Sequence, residues 1–187
     1  MVLGLLHGPV LTGLASLMVI RDPLERADLI LPLGQGETIL SAAAALHHRG
    51  YAGRVAVART RPQRLELLGL LPPPHEISRE VLMAEGVPPE AIITIGSQIR
   101  DDVELGRALA AFFENRAAGR VIVVVSAPFS RLTRHDLRRG LAGFPVEMRI
   151  YPVPPREFDE RTWWRSRRGL LTHFDVLVLL TLRLLRG

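Results

Sequence analysis

The sequence predicts an α/β domain with a mainly parallel sheet of about five strands and helices crossing between them. Three observations predict it. Short apolar runs alternate with helix-period segments through the middle of the chain, the signature of crossover connections. The run Val121-Ile-Val-Val-Val is apolar throughout, as a strand covered on both faces reads. With 187 residues, 48% of them apolar, the chain has enough material for one core and is too apolar for a disordered one. No repeat, low-complexity tract or linker divides it, so residues 1–187 are expected to form a single domain.

The first 20 residues carry no charge until Arg21, which reaches the length of a membrane span. Gly4, His7, Gly8, Pro9 and Gly13 interrupt them, and no basic leader precedes them. These features favour a buried or sheet-covering helix from Pro9, with Leu11, Leu14, Leu17 and Met18 on one face, over a membrane span. The first strand is Asp28-Leu-Ile-Leu, and Pro32, lacking an N–H, is expected to stop its pairing. Gly34-Gln35-Gly36-Glu37-Thr38 reads as a turn, followed by a helix from about Thr38 to His48 that Gly50 closes. The second strand is Val55–Ala58. A short helix over Leu65 to Leu68 and a longer one from Glu76 to Glu85 follow, either side of Pro72-Pro73-Pro74. The third strand is Ala91–Ile95. The next helix, Asp101 to Asn115, carries Asp101, Asp102 and Glu104 in its first turn, where they suit the positive end of the helix dipole. After Val121–Val125 come a helix from Ser130 to Gly140, a fifth strand from Val146 to Tyr151, and a last helix over 170–186.

Composition excludes several chemistries. Without cysteine there is no disulfide, thiolate metal site or cysteine nucleophile. All 24 basic residues are arginine, so neither a Schiff-base lysine nor a P-loop lysine exists. That bias reads as the mark of a GC-rich genome rather than as a functional signal. The net charge of +5 mildly favours anionic partners but is too scattered to indicate nucleic acid. His47 and His48 are adjacent and His7, His75, His135 and His173 are isolated, so no metal site is expected.

Ligands of open parallel sheets bind beyond the carboxyl ends of the strands. Those ends are Gly34 to Thr38, Arg59 to Arg61, Gly96 to Asp101 and Ser126 to Arg131. Gly34 and Gly36 allow close backbone approach to a ligand, although Ile39 takes the place of the third glycine of a dinucleotide fingerprint. Ser126 lies at a strand end without the flanking glycines of a nucleophile elbow. Ser130 reads either as a ligand contact or as a helix cap. Arg131, Arg134 and Arg138 share a helical face, which is either a solvated basic face or, through Arg131 and Arg134, a grip for an anion. Trp163-Trp164 beside Arg165, Arg167 and Arg168 reads as an anchor for the last helix rather than a stacking platform for bases.

Several of these segments together resemble the YdcF-like family, which includes the SanA and ElyC envelope proteins. They are Asp22-Pro-Leu-Glu-Arg-Ala-Asp-Leu-Ile, Gly86-Val-Pro-Pro-Glu-Ala-Ile, Val121 to Ser126, and Trp163-Trp164-Arg165-Ser166 with the closing helix. The resemblance runs from about residue 9 to the end. It implies a Rossmann-like three-layer sandwich, a doubly wound sheet, and a pocket at the carboxyl edge. It also associates the chain with S-adenosylmethionine and with the cell envelope. Glu80 matches an acidic position of the family, and Asp175 stands near a usual glutamate. The family's histidine after the fourth strand is replaced by Phe129 or Ser130, which removes the most plausible general base.

The leading expectation is therefore a domain that binds a small anionic or nucleotide-like ligand such as S-adenosylmethionine. Gly34, Gln35 and Gly36 would supply backbone contacts. Arg59, Arg100, Arg131 and Arg134 would supply charge. Glu80 and Asp101 would orient donors, with Ser97, Ser126 and Ser130 around the pocket. The alternatives are an enzyme of envelope-precursor or sugar chemistry using Glu80 or Asp101, and a non-catalytic scaffold that dimerises through its apolar helices. A cytoplasmic location is expected, with a membrane-associated, envelope-facing one, held peripherally through the N-terminal helix, as the other reading.

Overall fold

The computed structural model describes Leu11, Gly13, residues 15–114 and residues 119–186. Five strands form one all-parallel sheet: β1 (Leu29–Leu33), β2 (Val55–Thr60), β3 (Ile92–Ile99), β4 (Gly119–Ser126) and β5 (Val146–Val153), in the order β3-β2-β1-β4-β5. The helices between them are α1 (Glu37–His48), α2 (Arg64–Leu67), α3 (Pro74–Ala84), α4 (Asp102–Phe113) and α5 (Ser130–Gly140), and α6 (Arg167–Arg186) closes the chain. The arrangement is the Rossmann-like three-layer sandwich expected.

Side-chain alternation along the strands builds two cores. Leu29, Leu31, Val121 and Val123 meet Leu105, Leu109 and Phe113 of α4 and Leu137 of α5 on one face. Ile30, Ile122 and Val124 meet Ile39, Leu40 and Ala43 of α1 and Leu82 of α3 on the other. Chain direction explains the two layers. The sheet grows from β1 through β2 to β3, then returns to the other side of β1 with β4 and β5, and right-handed crossovers place the two helix pairs on opposite faces. Helices α4 and α5 cross closely because glycine stands at the contact. A Cβ on Gly140 would lie 2.1 Å from the Val103 carbonyl oxygen, and one on Gly106 would lie 2.5 Å from that of Leu137.

Pro32 stops pairing on one side of β1 only. Ile30 N–H donates to the Arg54 carbonyl at 2.9 Å, and Ile30 opposite Val55 is the single matched pair between β1 and β2. In a parallel strand, alternate residues bond to alternate neighbours, so residue 32 would bond toward β2 next, and proline has no N–H to do it. Toward β4 the register continues through Pro32 to Leu33, opposite Val125. The expectation that the strand ends at Pro32 is thus corrected: it parts from β2 there and stays paired with β4.

The third strand is longer than expected. It runs on to Ile99 through a bulge in which Arg59 of β2 stands opposite Gly96, Ser97 and Gln98 of β3. Gly96 has φ +69° and Gln98 has φ +55°. The strand tip beside the cleft is therefore Ile99 rather than Ile95.

Leu11, Gly13 and residues 15–18 are helical, with Ala15 and Met18 buried and Leu17 exposed. The rest of the expected N-terminal helix, residues 1–10, 12 and 14, lies outside the described residues. Trp163 donates from Nε1 to the Leu11 carbonyl at 3.1 Å and stacks on His173 of α6, with 4.2 Å between ring centroids. The tryptophan thus fastens both ends of the described chain to one another. Among the described residues no helix is long and apolar enough to cross a membrane.

Candidate functional site

The parting of β1 from β2 opens a cleft of about 480 Å³ at the carboxyl edge of the sheet. Pro32, Leu33 and Gly34 form one wall, and Val57, Ala58 and Thr60 form the opposite one. Ile99, Leu105, Val125 and Phe129 extend the apolar lining. Gly34 turns the chain with φ +112°, a conformation that costs glycine little and any β-carbon residue much more.

The ionisable groups of the lining, Arg100, Asp101 and Asp102, gather at the N-terminus of α4. Asp101 caps that helix by accepting from Glu104 N–H at 2.9 Å. Asp102, the next residue, lines the cleft and accepts a hydrogen bond from the Thr133 hydroxyl. Burial holds the Asp102 carboxyl above the usual carboxylate range, against the Thr133 bond, and the nearby Asp136 and Asp101 push the same way. Asp136 is itself buried on α5 and accepts from Arg183 Nε at 3.1 Å through both carboxylate oxygens. A protonated Asp102 can donate a hydrogen bond or a proton into the cleft.

Of the residues singled out in the sequence, Gly34, Gln35, Arg100, Asp101 and Ser126 line this cleft. Gly36 stands just outside it, where its carbonyl starts α1 by accepting from Ile39 N–H at 2.9 Å. Ser97 lies on the β3 bulge beside Arg100, in an adjoining groove. Arg59 and Glu80 are exposed and line neither space.

Three residues expected at the ligand do structural work instead. Ser130 is fully buried; its hydroxyl donates to the Ala127 carbonyl at 2.7 Å and accepts from Ile20 N–H at 2.9 Å, so it neither faces the cleft nor caps α5. Arg131 donates to the Leu17 carbonyl. Arg134 pairs with Asp22, which also accepts from Ile150 N–H at 2.7 Å. The N-terminal helix and the segment that leads from it to β1 pass over the start of α5, and their backbone and the Asp22 carboxylate claim all three. The Asp22 carboxyl is pushed up by burial, but the Arg134 bond, the Ile150 amide and the Arg134 and Arg149 charges prevail and hold it below its usual range.

Sequence reasoning missed Asp102 and Thr133. Asp102 reads as one more acidic residue of a helix's first turn, and Thr133 as a polar residue in mid-helix. Only the close crossing of α4 and α5 brings them together. No cluster of histidine, aspartate and glutamate able to hold a metal ion occurs among the described residues. Comparison with family models, curated proteins and solved structures finds no match to this chain.

Proposed function

We propose that the protein binds a small nucleoside-like molecule in the cleft at the carboxyl edge of its sheet. The observation that carries this reading is the composition of the cleft: apolar walls from Val57, Ile99, Leu105 and Val125, the ionisable groups Arg100, Asp101 and Asp102 together at the start of α4, and hydroxyls from Thr60, Ser78, Ser126 and Thr133 in the lining. Ligand sites of this size combine such walls with a few directional polar groups. A planar base suits the walls, and ribose hydroxyls or a positive charge suit the carboxyl groups. S-adenosylmethionine, implied by the family resemblance, carries all three, so it heads the list of ligands. The same resemblance sets this binding near envelope metabolism.

A thermal and chemical denaturation series with nucleosides, S-adenosylmethionine, sugar phosphates and lipid-carrier fragments tests the reading. A ligand at ~100 times its dissociation constant should stabilise the fold by roughly 2.7 kcal/mol. Ala58→Phe, which fills the cleft from its β2 wall, should abolish that gain. A flat response to every compound, or a gain that survives Ala58→Phe, would refute the cleft as the site.

The raised Asp102 carboxyl supports a second reading, in which the bound molecule is also turned over with Asp102 as the general acid in place of Glu80 or Asp101. That reading requires product formation which Asp102→Asn abolishes while ligand still binds.

A further inference from the structure

The cleft is poorly suited to an anion. Its lining sets two carboxyl groups, Asp101 and Asp102, against one arginine, Arg100, which is itself paired with Glu104, and the first turn of α1 beside Gly36 carries Glu37, paired with Arg156. Neither helix end therefore offers an incoming anion an unpaired positive side chain.

A second concavity, about 720 Å³ and more open, lies over the β3 bulge. It shares Ile99 and Arg100 with the cleft, so one molecule can reach both. Its charge is opposite: Arg61, Arg100 and Arg107 face a single carboxylate, Glu104. Arg100 is committed to Glu104, donating from Nε at 2.7 Å. Arg61 and Arg107 have no hydrogen bond or ion pair from their guanidinium groups among the described residues, and Arg107 meets Glu104 only through its field.

The bulge that shapes this groove is strained in a way an edge strand does not need. Gln98 holds a left-handed φ of +55°, uncommon for a residue with a side chain. A Cβ on Gly96 would stand 2.4 Å from Ile99 Cδ1. A bulge protects an edge strand from pairing with other chains. Edge protection does not account for two unpaired arginines flanking the same bulge.

We propose that this groove is a phosphate subsite, and that the ligand is a phosphorylated nucleoside whose base and ribose occupy the cleft and whose phosphates rest on Arg61 and Arg107. The planar guanidinium fork matches phosphate oxygens in pairs, and the arginines keep their charge at every physiological pH. The inference rests on the cleft reading above for the nucleoside half and on the groove alone for the phosphate half.

Calorimetric titration of the full chain separates the halves. Each nucleoside is compared with its 5′-diphosphate, on wild type and on the double variant Arg61→Gln/Arg107→Gln, with inorganic pyrophosphate as a third probe. The diphosphate should bind wild type at least ~10-fold more tightly than its nucleoside, and that preference should fall with added salt. In the double variant the preference should vanish. Equal binding of nucleoside and diphosphate by wild type, or a preference that survives the double variant, overturns the proposal. If no nucleoside or diphosphate binds, the cleft reading falls. Pyrophosphate bound by wild type and lost in the variant then still supports the groove, and absence of pyrophosphate binding removes it as well. S-adenosylmethionine, whose anion is a carboxylate, distinguishes the two anions: a preference for it over every diphosphate that is lost in the double variant would overturn the assignment to phosphate.

Discussion

Two pairs of arginines flank the strand tips, and they have opposite fates. On the β4–β5 side, Arg131 and Arg134 project from α5 into the path of the N-terminal segment. Leu17 offers one a carbonyl and Asp22 offers the other a carboxylate. On the β3 side, Arg61 and Arg107 stand at the rim of a groove where no described segment crosses. Residue type is alike in the two pairs; Arg131 and Arg134 lie a turn apart on α5, whereas Arg61 comes from the end of β2 and Arg107 from α4. What differs is whether another part of the chain arrives to satisfy the charge. An arginine at a strand tip is therefore evidence for a ligand only after its neighbours have been accounted for.

The crossing of α4 and α5 fixes the distance between the two sides, so it offers the largest perturbation. Gly140→Ala places a methyl against the Val103 carbonyl and should cost about 3 kcal/mol, measured by urea denaturation. Because the shift moves Asp102 relative to Thr133, ligand affinity should fall with it.

Arg134→Met should cost about 2 kcal/mol, since it leaves Asp22 largely buried without its cation. The same pair makes stability depend on pH. Asp22 has a folded pKa below its unfolded one, so its contribution is complete above the ordinary carboxylate range and is lost as pH falls through the folded value. Asp22→Asn should flatten the acid limb of a stability–pH profile. An unchanged acid limb would show that the pair is not what couples stability to pH there.

Arg131→Ala should cost about 1 kcal/mol, the value of a single hydrogen bond to a carbonyl, and should leave ligand affinity as it was. A large loss of affinity would restore Arg131 to the site and blur the contrast between the two pairs. Asp102→Asn has the opposite sign to Asp22→Asn. The folded pKa of Asp102 is raised, so wild type loses stability as pH climbs from the carboxylate range through that value. Asp102→Asn should be slightly more stable than wild type at neutral pH and equal to it in strong acid. Last, Arg61→Gln should change stability by less than ~0.5 kcal/mol, because the guanidinium has nothing to lose in the free protein. A clear drop would mean that the β3 side, too, is built on its arginines.

The strands and most helices were legible because their signals are local. Val121–Val125 announces a central strand by apolar content alone, and α5 begins and ends where Ser130 and Gly140 suggest. Pro32 was read for what it does to a strand but not for which neighbour it affects, since that depends on the side toward which its missing N–H would point. The β3 bulge was missed. Gly96 hints at it, yet positive φ at Gln98 has no signature in a single sequence. Among the candidate site residues, those on backbone tips, such as Gly34, Asp101 and Ser126, were found because strand order places every tip at one edge. Ser130, Arg131 and Arg134 went elsewhere because their partners lie more than a hundred positions away in the chain.

By itself the order of residues determined the alternation of strand and helix, and with it the parallel sheet and the edge at which a cleft must open. These follow from hydrophobic period and turn chemistry, which act over a few residues. The tertiary structure alone decided that Pro32 parts β1 from β2, that Asp102 meets Thr133 across a glycine crossing, and that Arg61 and Arg107 keep their charge free while Arg134 surrenders its own to Asp22. Hydrogen bonding and electrostatics depend on distance in space, and only the packed chain sets those distances.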